Sequence, residues 1–203
     1  MIKPQEALDR LLEGNKRFVA NQSLHPNRCQ ETKDSLLHEQ RPFAVILSCS
    51  DSRVPIEIIF DAGFGDIFVV RTAGHVLSQE VMGSIEYAVR SLGVKLVMIL
   101  GHDNCGAVQS AIKSYKNKTL HKLSSGMQSI MTHIYPAIEG IVCETCNHEF
   151  LDAAIESNVI YQVNDLIKND EYIAQKVKNK DIMVIGANYN LKTSKVDIIT
   201  AKN

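Results

Sequence analysis

Two short peptides carry the residues best suited to chemistry: Cys49-Ser50-Asp51-Ser52-Arg53 and His102-Asp103-Asn104-Cys105-Gly106. Thiolate sulfur and imidazole nitrogen are donors that zinc favours, and His-x2-Cys is a short chelating pair to which a remote Cys49 can add a third ligand. Three protein ligands leave a tetrahedral ion one open position, which is the layout of a catalytic site. The plainer alternative is two cysteines packed in a core beside a strand-end histidine, since free cysteine commonly behaves as a small apolar residue. Asp51 and Arg53, two positions apart, can form a charge-assisted hydrogen bond that keeps the carboxylate ionised. A carboxylate in that state beside a metal can accept a hydrogen bond from a bound hydroxide and orient it.

Positioning these residues is the task of the flanking segments. Phe43–Ser48 and Lys95–Gly101 are solid apolar runs, each ending at one of the two peptides, and read as strands buried on both faces. From Pro42 onward strands alternate with helices: a short helix over Pro55–Ala62, a strand over Asp66–Thr72, a helix over Ser78–Ser91, and a helix opening at Gly106–Ser114. This alternation implies a parallel sheet covered by helices, with sites at the carboxyl ends of the strands. His121–Ile138, Glu149–Ile167 and Glu171–Val177 carry helical periodicity, Asp181–Ala187 a last buried strand, and Lys195–Thr200 the alternation of an edge strand. The expected fold class is thus α/β, with a mainly parallel central sheet of four strands plus a C-terminal edge strand. An amphipathic helix over Pro4–Ala20 and a polar connection over 21–32 form an N-terminal helical arm. Nothing nearby in sequence supplies a core for that helix, so it must dock on the domain or on a partner subunit.

The chain has 203 residues, 45% of them hydrophobic and 22% charged, with a formal net charge of -1. That suits one domain over 1–203 and gives no argument for nucleic acid or an anionic membrane. No apolar run approaches the ~20 residues of a membrane span. Residues 1–14 are too charged for a signal peptide, and five cysteines are an odd number, so a cytoplasmic, reducing setting is the expectation.

The two peptides, together with Arg71-Thr72-Ala73-Gly74, Ser84-Ile85-Glu86-Tyr87-Ala88 and Gly186-Ala187-x-Tyr189, resemble the β-class carbonic anhydrases, in particular their plant-type branch. The resemblance covers most of residues 4–200. It implies one Zn2+ per chain on Cys49, His102 and Cys105, with Asp51 and Arg53 as the catalytic dyad. It implies reversible hydration of CO2 to bicarbonate and a proton through a zinc-bound hydroxide. Two thiolates formally cancel the charge of Zn2+, so hydration should favour alkaline pH. Gln40, Phe68, Tyr87 and Gly106 match substrate-binding positions, and His75 is a titratable candidate for proton transfer. Arg71 and Tyr189 match two positions of an inhibitory bicarbonate site, but Ile46 stands where that site needs Trp. In a closed state, Asp51 itself could take the fourth zinc position. The family's N-terminal helix packs on a partner subunit, which implies a homodimer or homotetramer. The rival readings are a hydrolase of CO2 analogues such as CS2 or COS, and a zinc-stabilised scaffold with Asp51 as a permanent ligand. A cysteine phosphatase is disfavoured because Arg53 follows Cys49 too closely. Cys143, Cys146 and His148 form a separate C-x-x-C group, read as incidental packing cysteines or, failing that, a thiol switch or second metal site.

Overall fold

A computed structural model describes residues 2–141 and 149–202. The Cys143, Cys146 and His148 group lies outside the described residues. At the centre is a sheet of β1 (Ala44–Cys49), β2 (Ile67–Thr72), β3 (Leu96–His102), β4 (Met183–Tyr189) and β5 (Val196–Lys202), in the order β2-β1-β3-β4-β5. The first four are parallel, and β5 runs antiparallel to β4. The expected sheet is therefore present, with each strand offset by a residue or two from its sequence limits.

This strand order has a mechanical consequence. The chain leaves β1, adds β2 on one side, then crosses back to add β3 on the other. The loops after β1 and β3 diverge, which opens a crevice between their carboxyl ends, the usual ligand position in open α/β sheets. Every residue of β1 and β3 is buried, so their register is tightly specified.

Helices cover both faces. On one face α1 (Pro4–Val19) and α3 (Ile56–Ile59) pack Ala7, Leu8, Leu11 and Ile59 against Ile46, Met98 and Ile185. On the other, α4 (Gln79–Arg90), α7 (Glu149–Asn169) and α8 (Glu171–Lys178) pack Ile85, Val163 and Ile173 against Leu47, Ile99 and Val184. A third cluster joins α5 (Gly106–Lys116), α6 (Ser125–Ile138) and α7 around Cys49 and Cys105. Helix α7 seats directly on backbone: a Cβ on Gly101 would lie 2.6 Å from one Val159 methyl, and one on Gly186 would lie 2.7 Å from the other. Among the described residues, no helix is long and apolar enough to cross a membrane.

Several expectations need correction. Helix α1, which had to dock on the domain or on a partner subunit, buries Ala7, Leu8 and Leu11 on its own chain. Asn15 pins it there, donating to the carbonyls of Ile59 and Ser194 and accepting from the Val196 N–H. The polar connection contains a short helix, α2 (Gln30–Ser35), that buries nothing. Helix α3 is shorter than the pattern suggested, because Asp61 turns left-handed at φ 45°. Helix α6 starts at Ser125, since the extended Leu123 separates it from a 3-10 turn over Leu120–Lys122.

Asp61 also explains how the N-terminal segment is held. Its buried carboxylate accepts from Arg17 Nε at 2.7 Å and from the N–H groups of Leu24 and His25, each at 2.9 Å. Burial opposes ionisation, but these donors outweigh it and hold the carboxyl below its usual range. A depressed folded pKa contributes stability that is complete above the unfolded value, about pH 4, and is lost as pH falls through the folded one. Asp61→Asn should therefore be less stable than wild type at neutral pH and lose less on acidification. Denaturation midpoints measured across that range check both statements.

Candidate metal centre and its surroundings

Cys49 closes β1 and His102 closes β3. The chain then reverses within two residues, helped by Asn104 in left-handed backbone at φ 55°, a conformation Asn tolerates better than most residues. This reversal returns Cys105 to the crevice as the residue before α5. The ligand atoms of Cys49, His102 and Cys105 all lie within 4.8 Å of one another, and all three residues are buried. The two sulfurs are 3.9 Å apart, close to the ~3.8 Å expected of two thiolates on one tetrahedral zinc.

The imidazole is arranged for the same purpose. His102 Nδ1 lies 2.9 Å from the Asp103 carbonyl oxygen, to which it donates as N–H. That leaves Nε2 as a lone pair, and Nε2 is buried with no hydrogen-bond partner. An orphaned buried acceptor costs free energy unless something fills the role, and a hydrogen bond on the second ring nitrogen is how metal-binding histidines are usually oriented. The donor set and the spacing fit zinc. Each sulfur acts on the other: contact with Cys105 favours the Cys49 thiolate, while contact with Cys49, together with burial, holds the Cys105 proton on. Gly74 N–H also donates to Cys49 sulfur, at 3.3 Å.

Asp51 and Arg53 meet as expected. Arg53 Nε donates to Oδ1 at 2.9 Å and Nη2 to Oδ2 at 2.7 Å, while the Arg53 backbone N–H also reaches Oδ1. These side-chain hydrogen bonds, offset only in part by burial, hold the carboxyl well below the usual carboxylate range. Oδ2 lies 3.9 Å from the free His102 Nε2, so the carboxylate borders the ligand cluster. Both its oxygens are engaged by Arg53, and the closed arrangement would have to break that fork. Arg53 Nη2 further reaches the Asn104 carbonyl at 3.4 Å, tying the β1 loop to the β3 loop. Arg71 directs its guanidinium to the carbonyls of Cys49 and Asp51, at 2.7 to 3.1 Å, and fixes the first loop's path. Tyr189, the other residue matched to a bicarbonate site, is buried in the core beneath α1.

The pocket residues are not brought to this centre. Phe68 pairs with Val45, four residues of extended chain, roughly 13 Å, from Cys49. Tyr87 lies near it, its ring tilted 48° with centroids 6.2 Å apart, and is 49% exposed. Gln40 precedes β1 and, with Tyr87, Arg10 and Phe43, lines an open cleft of about 920 Å³ at the amino ends of the strands. Gly106 is the exception, lying exposed beside Cys105 at the start of α5. His75 is neither a surface nor an interface residue: it is fully buried, and burial pushes its pKa down to about 4. A proton carrier needs solvent contact and a pKa near working pH, so His75 is unsuited to that role. Asn158 and Gln162, which hold the turn around His75, were not picked out from sequence, because they sit within an ordinary helical pattern.

Comparison with known proteins agrees with the geometry. The family model described as carbonic anhydrase matches residues 44–196. A carbonic anhydrase of Mycolicibacterium smegmatis is 39% identical over 195 residues, spanning 96% of this chain and 93% of that protein. Among solved structures, the β-carbonic anhydrase CcaA superposes with a TM-score of 0.76 at 22% identity, covering 94% of each chain. A structure from a study of two tetrameric β-carbonic anhydrases of Sordaria macrospora gives 0.74 at 20% identity, covering 97% of this chain and 98% of that one. At such identities these two likenesses concern the fold.

Elemental analysis of the purified chain should find one zinc per chain. Cys49→Ala and Cys105→Ala should each leave a folded protein that loses the ion on dialysis, as read by metal content alongside circular dichroism.

Proposed function

The chain belongs to the β-class carbonic anhydrase family, and from that footing we propose how its residues divide the work. It is a zinc-dependent lyase that reversibly hydrates CO2 to bicarbonate and a proton. The observation that carries this reading is the convergence of Cys49, His102 and Cys105 at the β1–β3 crevice, with the Asp51 carboxylate at its border. Bound zinc supplies a Lewis acid that lowers the pKa of water far below its bulk value, and the two thiolates temper it, so hydroxide becomes available toward alkaline pH.

Cys49, His102 and Cys105 hold the ion. Asp51, kept ionised by Arg53, is an acceptor only. It therefore takes the hydrogen bond of an attacking hydroxyl and turns the oxygen lone pair toward the carbon of CO2. The same carboxylate repels an anion that has no proton to offer, and favours bicarbonate bound through its OH. Arg53 and Arg71 keep the loop rigid while this happens. Gly106 lies open at the start of α5, whose amide groups favour a nearby anion. A scaffold with Asp51 as permanent ligand is not supported, because both carboxylate oxygens are bound to Arg53. Asp51→Asn should keep its zinc and lose on the order of 100-fold in kcat, read by stopped-flow CO2 hydration together with metal content.

The substrate walls come from a second copy of the chain. Phe68 and Tyr87 lie beyond reach of their own Cys49, yet Tyr87 is half exposed and β2 is an edge strand whose Ile67, Phe68, Val69 and Val70 are only partly covered. An apolar open edge is a surface that calls for a partner. Association of two copies through it would present Gln40, Phe68 and Tyr87 to the partner's metal, and a dimer of such dimers is the larger assembly it admits. The two ligand sulfurs, 3.9 Å apart, also favour a reducing compartment such as the cytoplasm, where they escape oxidation to a disulfide.

Mixed dimers test the shared site. Cys49→Ala and Tyr87→Ala proteins should each be weakly active alone. After subunit exchange, one intact site forms per heterodimer, and activity should rise to roughly a quarter of wild type. No gain on mixing means each chain builds its site alone.

A further inference from the structure

Helix α7 buries two amides in a face that is otherwise apolar. Ala154, Ile155, Val159, Val163 and Leu166 are buried there, and Asn158 and Gln162, one turn apart, are 0% exposed. Buried amides are tolerated only when hydrogen-bonded, and the bonds of this pair converge on the turn that follows β2. Asn158 Nδ2 donates to the Gly74 carbonyl at 3.1 Å and to His75 Nε2 at 2.9 Å. Gln162 Nε2 braces Asn158 by donating to its Oδ1 at 3.0 Å, and also reaches the His133 carbonyl. Gln162 Oε1 accepts from the Leu77 N–H at 3.0 Å.

The turn so held is unusual. Gly74 and His75 are consecutive left-handed residues, at φ 69° and 45°. Glycine adopts that region freely, whereas histidine does so uncommonly and needs surroundings that over-determine it. This path aims the Gly74 N–H at Cys49 sulfur, 3.3 Å away. A hydrogen bond to a thiolate withdraws charge from it, and here the charge withdrawn is part of what makes two thiolates a poor setting for a Lewis acid.

We propose that Asn158, braced by Gln162, is a positioning residue for Cys49: it locks the Gly74–His75 turn so that Gly74 N–H remains bonded to the sulfur and tempers its donation to the metal. The proposal rests on the metal site described above. Asn158 touches neither substrate nor ion and acts only through the turn. Partners of this kind around metal ligands typically change affinity or activity 10- to 100-fold when lost.

Two measurements on metal-exchanged protein decide the matter. In wild type carrying 113Cd2+ in place of zinc, the Gly74 amide proton should show scalar coupling to the metal through Cys49 sulfur. In Co2+ protein, Asn158→Ala and the isosteric Asn158→Asp, which cannot donate as Asn does, should shift the sulfur-to-cobalt charge-transfer band to lower energy. Their zinc forms should lose about tenfold in CO2 hydration rate. Val163→Ala, five residues further along the helix and buried against the sheet, should cost thermal stability and leave the band in place. Asn158 variants that lose stability with the band unmoved overturn the proposal. Cadmium bound without coupling to Gly74 overturns it in wild type alone, whether or not the variants fold. Failure of wild type to bind either ion overturns the metal site as well.

Discussion

The parallel pairing of β1 with β3 is the constraint on which the rest depends. Because the strands run the same way, Cys49 and His102 emerge at the same edge of the sheet, and because β2 lies on the far side of β1, the loops beyond them part. Antiparallel pairing would send the two residues to opposite ends of the molecule. Continuous burial of both strands makes a slip of register expensive, since every side chain of each would change faces. The position of the ligands is thus inherited from the core and needs little from the loops. What the loops add is orientation: the Asp103 carbonyl sets the imidazole tautomer, and Arg53 and Arg71 set the path after Cys49.

Much of this was legible in the sequence because the ligands sit where apolar runs stop. A solid apolar run announces a doubly buried strand, and the residue that ends it is placed without knowledge of anything remote. Asp51 and Arg53 were legible for a similar reason, their pairing being local. What was not legible needed knowledge of distance or sidedness. The stripe of Leu8 and Leu11 shows that α1 has an apolar face and says nothing of what covers it, which proved to be its own sheet. Phe68 and Tyr87 could be matched to positions, but the match could not show that both lie far from their own Cys49. Asn158 and Gln162 lie 84 and 85 residues from the backbone groups they bind, and two polar residues within a helix carry no outward sign of burial.

Two aspartate–arginine pairs show how one chemistry serves two ends according to exposure. Asp61 meets Arg17 with its carboxylate fully enclosed and two backbone N–H groups added, so its charge is committed to holding α1 and the segment after it. Asp51 meets Arg53 at the mouth of the crevice with part of its surface open. There the ion pair does little for stability, and its value lies in keeping an acceptor charged beside the ligand cluster.

Helix α7 rests on Gly101 and Gly186, where Val159 occupies the room their absent side chains leave. The height of that helix above the sheet is therefore gauged by two hydrogen atoms. Asn158 precedes Val159 in the chain, so the reach of its amide toward Gly74 is measured from the same seat. A methyl group at either glycine would act as a shim, lifting the helix and drawing the amide off the turn that faces Cys49, though neither glycine binds anything. Tolerances at the metal are set in this way by the sheet itself, Gly101 being the residue before His102, and the smallest residues of the strands belong to the site's machining as much as the thiols do.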